Sequence, residues 1–218
     1  MKPTLYHCND ARSLRCLWTA EEIGLEINLV CLPFPPRAFA PAYKQINPLG
    51  TIPCWIDRDV TLTESAAICQ IMARGSRLEV MADEAAYPEY LNWLHRSDAT
   101  LTFPLAIMLR YSVFPPKEAR KLDVAEDYKA FFLGRARAIE TALSDGRTWI
   151  VADRFTIADI CIGYALFLAT TLHIDGELGE LSRAYLDRLM QRTAFKTART
   201  RQKNTLQTTS PYLPIAGD

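Results

Sequence analysis

The sequence predicts an α/β domain built on a four-stranded mixed sheet, followed by an all-α domain. Three observations carry that expectation. Residues 4–32 read as strand, helix, strand, the order of a parallel βαβ unit. Residues 52–63 read as two short strands about a tight turn, with a proline at the mouth. Near Gly75–Pro88 the strand signals stop, and apolar residues recur only at helical spacing afterwards.

Taken in order, Thr4–Cys8 is a short strand ending in the polar turn Asn9-Asp10-Ala11. A helix starts at Arg12 or Ser13, carries Leu14, Leu17, Trp18 and Ile23 as its apolar positions, and stops at Gly24. Glu26–Leu32 is the second strand, with Ile27, Leu29 and Cys31 on one face. A loop rich in proline (Pro33, Pro35, Pro36, Pro41) leads to a short helical piece at Ala42–Ile46. The hairpin follows: an apolar run at Ile52–Ile56, turn residues Asp57-Arg58-Asp59, and a second run at Val60–Thr63. Thr63-Glu64-Ser65 then opens a helix that continues through Met72. The β-α-β-α-β-β-α order is a thioredoxin-like layout. Residues 1–80 are expected to form this domain and residues 87–218 the helical one, with the boundary near 78–86.

In the second half, Tyr87–Tyr111 reads as a helix kinked at Pro104, and Pro115-Pro116 break the chain. Val124–Leu143 is a long amphipathic helix that ends at Ser144-Asp145-Gly146. Thr156 and Asp159 stand at the N-cap and N3 positions of an acidic capping box, with Phe155 and Ile160 placed as its staple. The helix they start, Ile157–Leu172, is apolar nearly all round and is expected at the centre of its domain.

Composition narrows the function classes. Lys and Arg together number 25, as do Asp and Glu, and this zero net charge offers nothing to nucleic acid or an anionic membrane. Arg192, Lys196, Arg199, Arg201 and Lys203 collect near the C-terminus and are expected to be a solvated helix face. No signal peptide or membrane-spanning apolar run is read. The six cysteines are scattered without CxxC or ligand spacing, so buried thiols in a reducing cytoplasm are expected, with no metal.

One stretch carries a site. Pro53 at the start of a strand donates nothing to a ladder, and one use of such a proline is a cis peptide. That bond would turn the Ile52 N–H and C=O outward, as an edge on which an extended peptide can lie. The helix opened by Glu64 and Ser65 presents free N–H groups to a carboxylate, and Glu64 suits an ammonium. Edge, anion cradle and carboxylate describe a pocket for a small zwitterionic peptide.

Several segments in register carry a family resemblance. They are Leu5-Tyr6-His7 with Ala11-Arg12-Ser13-Leu14-Arg15, Glu21-Glu22-Ile23-Gly24-Leu25, and Ile46-Asn47-Pro48-Leu49-Gly50-Thr51-Ile52-Pro53. Thr63-Glu64-Ser65-Ala66-Ala67-Ile68 and Phe155-Thr156-Ile157-Ala158-Asp159-Ile160 complete the set. Together they cover nearly the whole chain, which resembles a cytosolic glutathione S-transferase, most of all the bacterial GTT-like and β-like branch. The resemblance implies a thioredoxin-like domain that binds glutathione as co-substrate, an all-α domain, and a homodimer with the electrophile site between domains. It implies that Ile52 pairs with the cysteinyl unit, that Pro53 is the cis-proline, and that Glu64 and Ser65 hold the γ-glutamyl end. Asn92 resembles an asparagine that reaches glutathione in the opposite subunit. Arg37 and Lys44 lie where the family often supplies a cation for the glycine carboxylate; solvated loop charges are the alternative. Trp93, Leu101 and Tyr111, with Phe103 and Phe167 beside them, are candidate walls for an apolar electrophile or core residues at helical spacing.

Conjugation needs the thiolate. Lowering a thiol pKa by about two units takes roughly 2.7 kcal/mol, whereas a helix N-terminus supplies about 0.3–1 and at best about 2. A donor at the start of the first helix is therefore expected. Tyr6 alternates into the sheet, and Ala11 fills the slot where serine-type classes carry serine. Ser13, a backbone N–H in Ala11–Ser13, Arg12 and Asn9 remain. Ser13 or a backbone N–H is expected to donate, with Arg12 adding positive potential, though Ser13 could equally be a plain helix cap. A thiol–disulfide redox enzyme using Cys8 and a non-catalytic interaction protein of the same fold are the alternatives. The expected activity is cytoplasmic conjugation of glutathione to an apolar electrophile, in keeping with detoxification.

Overall fold

The computed structural model describes residues 2–205. They form two compact units: one spans the chain up to Ser76 and resumes at Gln191, and the other is Arg77–Met190.

The first unit contains β1 (Thr4–His7), α1 (Leu14–Ile23), β2 (Asn28–Cys31), a short α2 (Pro36–Phe39), a 3₁₀ turn (Pro41–Gln45), β3 (Cys54–Asp57), β4 (Val60–Leu62) and α3 (Ser65–Ala73). The sheet order is β2-β1-β3-β4, with β1 parallel to β2 and antiparallel to β3. This is the expected thioredoxin-like layout. The ladders are shorter than the apolar runs, and Ile52 and Pro53 fall outside β3, since proline has no N–H to give. Asp57 pairs with Val60 across a two-residue turn in which Arg58 takes φ 52°, as a tight hairpin requires. Gly24 takes φ 66° and its N–H bonds the Ala20 and Glu21 carbonyls, closing α1.

The last described helix overturns one expectation. Helix α9 (Thr193–Thr205) was assigned above to a domain running from 87 to 218, but it packs with the first unit. Phe195 meets the Trp18 ring edge-on at 4.9 Å. The basic stripe is likewise no solvated face. Arg192 grips both oxygens of Glu22 at 2.6 and 2.8 Å, Arg201 bonds Glu21 at 2.7 Å, and Arg199 Nε lies 3.0 Å from buried Asp10. Only Lys196 and Lys203 of that set are exposed. The acids that pair with these arginines lie on and before α1, so nothing near α9 in sequence reveals them.

The second unit contains α4 (Tyr87–His95), a π-helical turn (Arg96–Thr102), α5 (Phe103–Ser112), α6 (Leu122–Leu143), α7 (Ile157–Thr171) and α8 (Glu180–Met190). The kink expected at Pro104 is replaced by this π turn, and Pro104 sits in the first turn of α5, where a missing N–H is tolerated. Hydroxyls serve carbonyls along the turn: Ser97 donates to Leu94 and Thr102 to Ser97, both at 2.6 Å. Helix α7 is central as expected, buried without interruption from Ile157 to Ala169. Its capping box forms: Ala158 N–H donates to Thr156 Oγ1 and Thr156 N–H to Asp159 Oδ2. Among the described residues no helix is long and apolar enough to cross a membrane.

Candidate functional site

The mouth of the hairpin is held from outside the ladder. The Ile52-Pro53 peptide is cis, and so is Phe34-Pro35, which the sequence reading did not single out. Pro53 is buried and Ile52 half-buried. The Thr51 carbonyl just before them accepts two bonds at 2.8 Å, from the Tyr43 hydroxyl and from Asn47 Nδ2. Asn47 Oδ1 also takes the Leu49 N–H, the Asn-Pro turn chemistry that could have flagged this residue. The Tyr43 ring lies 5.3 Å from that of Tyr6 and so ties the loop to β1. Arg37 and Lys44, both exposed, meet across Gly50: a Cβ there would lie 2.9 Å from Arg37 Cβ and 3.6 Å from Lys44 Cε, and φ is 62°. Only glycine lets the Arg37 main chain and the Lys44 stem come this close at such a φ.

The second feature is the start of α3. Glu64 is its N-cap in extended conformation, with an exposed side chain. Ser65 is buried, and its hydroxyl accepts a bond from Arg15 Nη1 at 3.1 Å. Arg15 is wholly buried on α1. A hydroxyl that accepts from Arg15 still has its own proton to donate, so Arg15 orients Ser65 as a donor. This link was not legible from the sequence, because it joins positions 50 apart on two helices.

The third feature is the turn between β1 and α1. Ser13 stands at the N-cap of α1, but its side chain makes no capping bond. Its hydroxyl is committed to the Cys8 main chain, accepting from the N–H at 3.2 Å and donating to the carbonyl at 3.4 Å. The Ala11 N–H likewise donates to the Cys8 carbonyl. Arg12 is half-buried at the same turn. Cys8 is wholly enclosed with its thiol against the Pro33 carbonyl, and burial, aided by nearby Cys31, pushes its pKa far above the ordinary range. A thiol so raised is a poor nucleophile. Gln202 of α9 closes the turn from the other side: its Oε1 accepts the Asp10 N–H at 3.2 Å, and its Nε2 donates to Asp10 Oδ1 at 2.6 Å. His7 Nε2 lies 2.9 Å from the same Oε1 and so carries the proton.

In the second unit, Asn92 is exposed on α4 and Tyr111 is half-buried near the end of α5. Trp93 and Leu101 are only 2% and 1% exposed and serve as core. Among the described residues no three His, Cys, Asp or Glu side chains gather as a metal site.

Residues 11–74 match the family model "Glutathione S-transferase, N-terminal domain", a span that takes in the hairpin mouth and the start of α3 but begins only at Ala11 within the β1–α1 turn. Over 100 residues the chain is 33% identical to "Glutathione S-transferase 3" of Schizosaccharomyces pombe. Residues 11–74 are thus similar to the N-terminal domain of glutathione S-transferases. The match to the yeast relative covers 44% of this chain and 41% of that one. Solved structures extend the likeness, in fold alone, to most of the chain. A glutathione transferase from Methylococcus capsulatus aligns with TM-score 0.82 at 23% identity, over 93% of this chain and 99% of that one. Ure2p5 from Phanerochaete chrysosporium, cocrystallised with 1-(S-glutathionyl)-2,4-dinitrobenzene, aligns with TM-score 0.79 at 22% identity, over 93% and 95%.

Proposed function

We propose that this chain is a glutathione transferase that joins the glutathione sulfur to a soft, apolar electrophile. The observation that carries this reading is the start of α3. Arg15 holds the Ser65 hydroxyl as a donor for the γ-glutamyl carboxylate, beside free helix N–H groups, while exposed Glu64 faces the ammonium. Glutathione lies as an added strand on the Ile52 main chain, whose approach loop is pinned at Thr51. Arg37 and Lys44 on either side of Gly50 take the glycine carboxylate. The sulfur gives its proton to solvent, its electron pair forms the S–C bond, and in a substitution the C–X pair departs with the leaving group. Arg12 adds positive potential at the β1–α1 turn.

The cocrystallised conjugate of the Ure2p5 relative supports this reaction class, as does the burial of Cys8, which disfavours disulfide exchange. Asn92 and Tyr111 retain side-chain surface for substrate. A homodimer and a cytoplasmic, detoxifying role belong to the same reading. Calorimetry tests it. Glutathione titrated into the full chain releases heat, and Glu64→Ala weakens binding by about tenfold or more. No heat at millimolar glutathione overturns the assignment.

A further inference from the structure

The turn between β1 and α1 passes through a left-handed residue. Asp10 takes φ 50°, a region that residues other than glycine rarely occupy and that persists where neighbouring groups over-determine it. Here the determining group comes from the far end of the described chain. Gln202 meets Asp10 with both ends of its amide, accepting the main-chain N–H at 3.2 Å and donating to Oδ1 at 2.6 Å. This double bond to one residue fixes the N–H and the carboxylate relative to each other, and with them the backbone between. His7 Nε2 lies 2.9 Å from the same Oε1, Arg199 Nε lies 3.0 Å from Asp10 Oδ1, and Gln202 itself is wholly buried.

From Asp10 the order passes into α1 through main-chain bonds. Ala11 N–H donates to the Cys8 carbonyl, Leu14 N–H to that of Ala11, and Arg15 N–H to that of Arg12. Arg15 follows within the first turn of α1, and its guanidinium reaches across to the Ser65 hydroxyl. Its neighbour Cys16 has its sulfur 3.7 Å from the Ser65 carbonyl. Further along α1, Phe195 packs on Trp18, and Arg201 and Arg192 bond Glu21 and Glu22. Helix α1 thus stands between α9 and α3. The Gln202 and Arg199 contacts fall at its Arg15 end.

We propose that Gln202 is a positioning residue for glutathione binding: by holding the Asp10 turn from α9, it sets Arg15 and so aims the Ser65 hydroxyl at the γ-glutamyl carboxylate. This rests on the glutathione-transferase reading above. Arg15 is wholly buried in a packed interior, so its side chain has no room to make good a shift of its backbone. The bond it gives Ser65, at 3.1 Å, weakens steeply once its distance or angle is lost. Gln202 needs no contact with the ligand and exchanges no proton; it acts through α1.

The test is a double-mutant cycle of calorimetric glutathione affinity in the full chain, run well below the melting temperature of every variant. Gln202→Met keeps the side-chain volume and deletes the amide. It weakens glutathione binding by about five- to twentyfold in the wild-type background. In the Ser65→Ala background, where no hydroxyl is left to aim, it weakens binding by less than about twofold. A residue that merely stabilised the fold would lower the melting temperature and leave the affinity of the folded chain alone. That outcome overturns the proposal, as do equal losses in the two backgrounds. Should Gln202→Met fail to fold, Gln202→Asn, which draws the amide back by one methylene, takes its place with the same expected result. Either of those outcomes leaves the transferase reading standing, whereas absence of glutathione binding by the wild type overturns both.

Discussion

Asp159 in the second unit and Asp10 in the first are both buried carboxylates near the start of a helix, yet their surroundings differ in kind. Asp159 is filled by neutral donors. Ile150 N–H and the Tyr185 hydroxyl bond Oδ1 at 2.9 and 2.7 Å, and Thr156 N–H and Oγ1 bond Oδ2 at 2.8 and 3.1 Å. Asp10 is met by a cation and an amide from α9, 189 and 192 positions further along, and the residue before it is left unmet. A polar cluster satisfied by its own neighbours organises a core. The Asp10 cluster depends instead on partners that a distant helix brings to it. The second unit is secured by the first arrangement, and the β1–α1 turn of the first unit by the second.

The comparison can be broken most forcefully at Asp159. Asp159→Ala strands four donors in the core and is expected to cost about 3–5 kcal/mol in urea unfolding of the full chain. A cost under about 1 kcal/mol would mean that those donors find other acceptors and that the cluster is not what organises the unit.

The next effect is a pH dependence that belongs to the first unit. Burial lowers the His7 pKa from 6.5 to about 4, against the opposing hydrogen bond with Gln202. The folded chain therefore holds His7 neutral where the unfolded chain takes up a proton. This group costs nothing above its unfolded value, and stability falls as pH drops from 6.5 towards about 4. The loss is about 2 kcal/mol by about pH 5 and about 3 kcal/mol below the folded value. Asp159, whose pKa burial raises, acts in the opposite sense, so the measurement is the difference between wild type and His7→Gln in unfolding midpoint against pH. Parallel curves would remove His7 from the account.

Gln202→Ala sharpens the contrast at smaller amplitude. It frees the Asp10 N–H, the His7 Nε2–H and one carboxylate bond but leaves Arg199 in place, so about 2 kcal/mol is expected, less than at Asp159. Urea titration of both variants under one condition ranks them, and a reversed order would show the α9 clamp to be the stronger of the two.

What could be read without coordinates was whatever the chain writes within a few residues of itself. The strand order, the Gly24 stop, the Asp57–Val60 hairpin and the Thr156–Asp159 box depend on backbone preferences and on side chains that reach their own turn. The cis Ile52-Pro53 bond and the helix start at Glu64 and Ser65 were legible for the same reason. Tertiary structure decided the rest. It set Arg15 beneath Ser65, closed Arg37 and Lys44 about Gly50, bound the Ser13 hydroxyl to Cys8, and packed Trp93 and Leu101 as core. It also carried α9 back onto α1, turning an apparently solvated basic stripe into ion pairs with Asp10, Glu21 and Glu22. A buried charge takes its partner from whatever the fold brings near, and that proximity has no period or spacing along the chain by which it could be recognised.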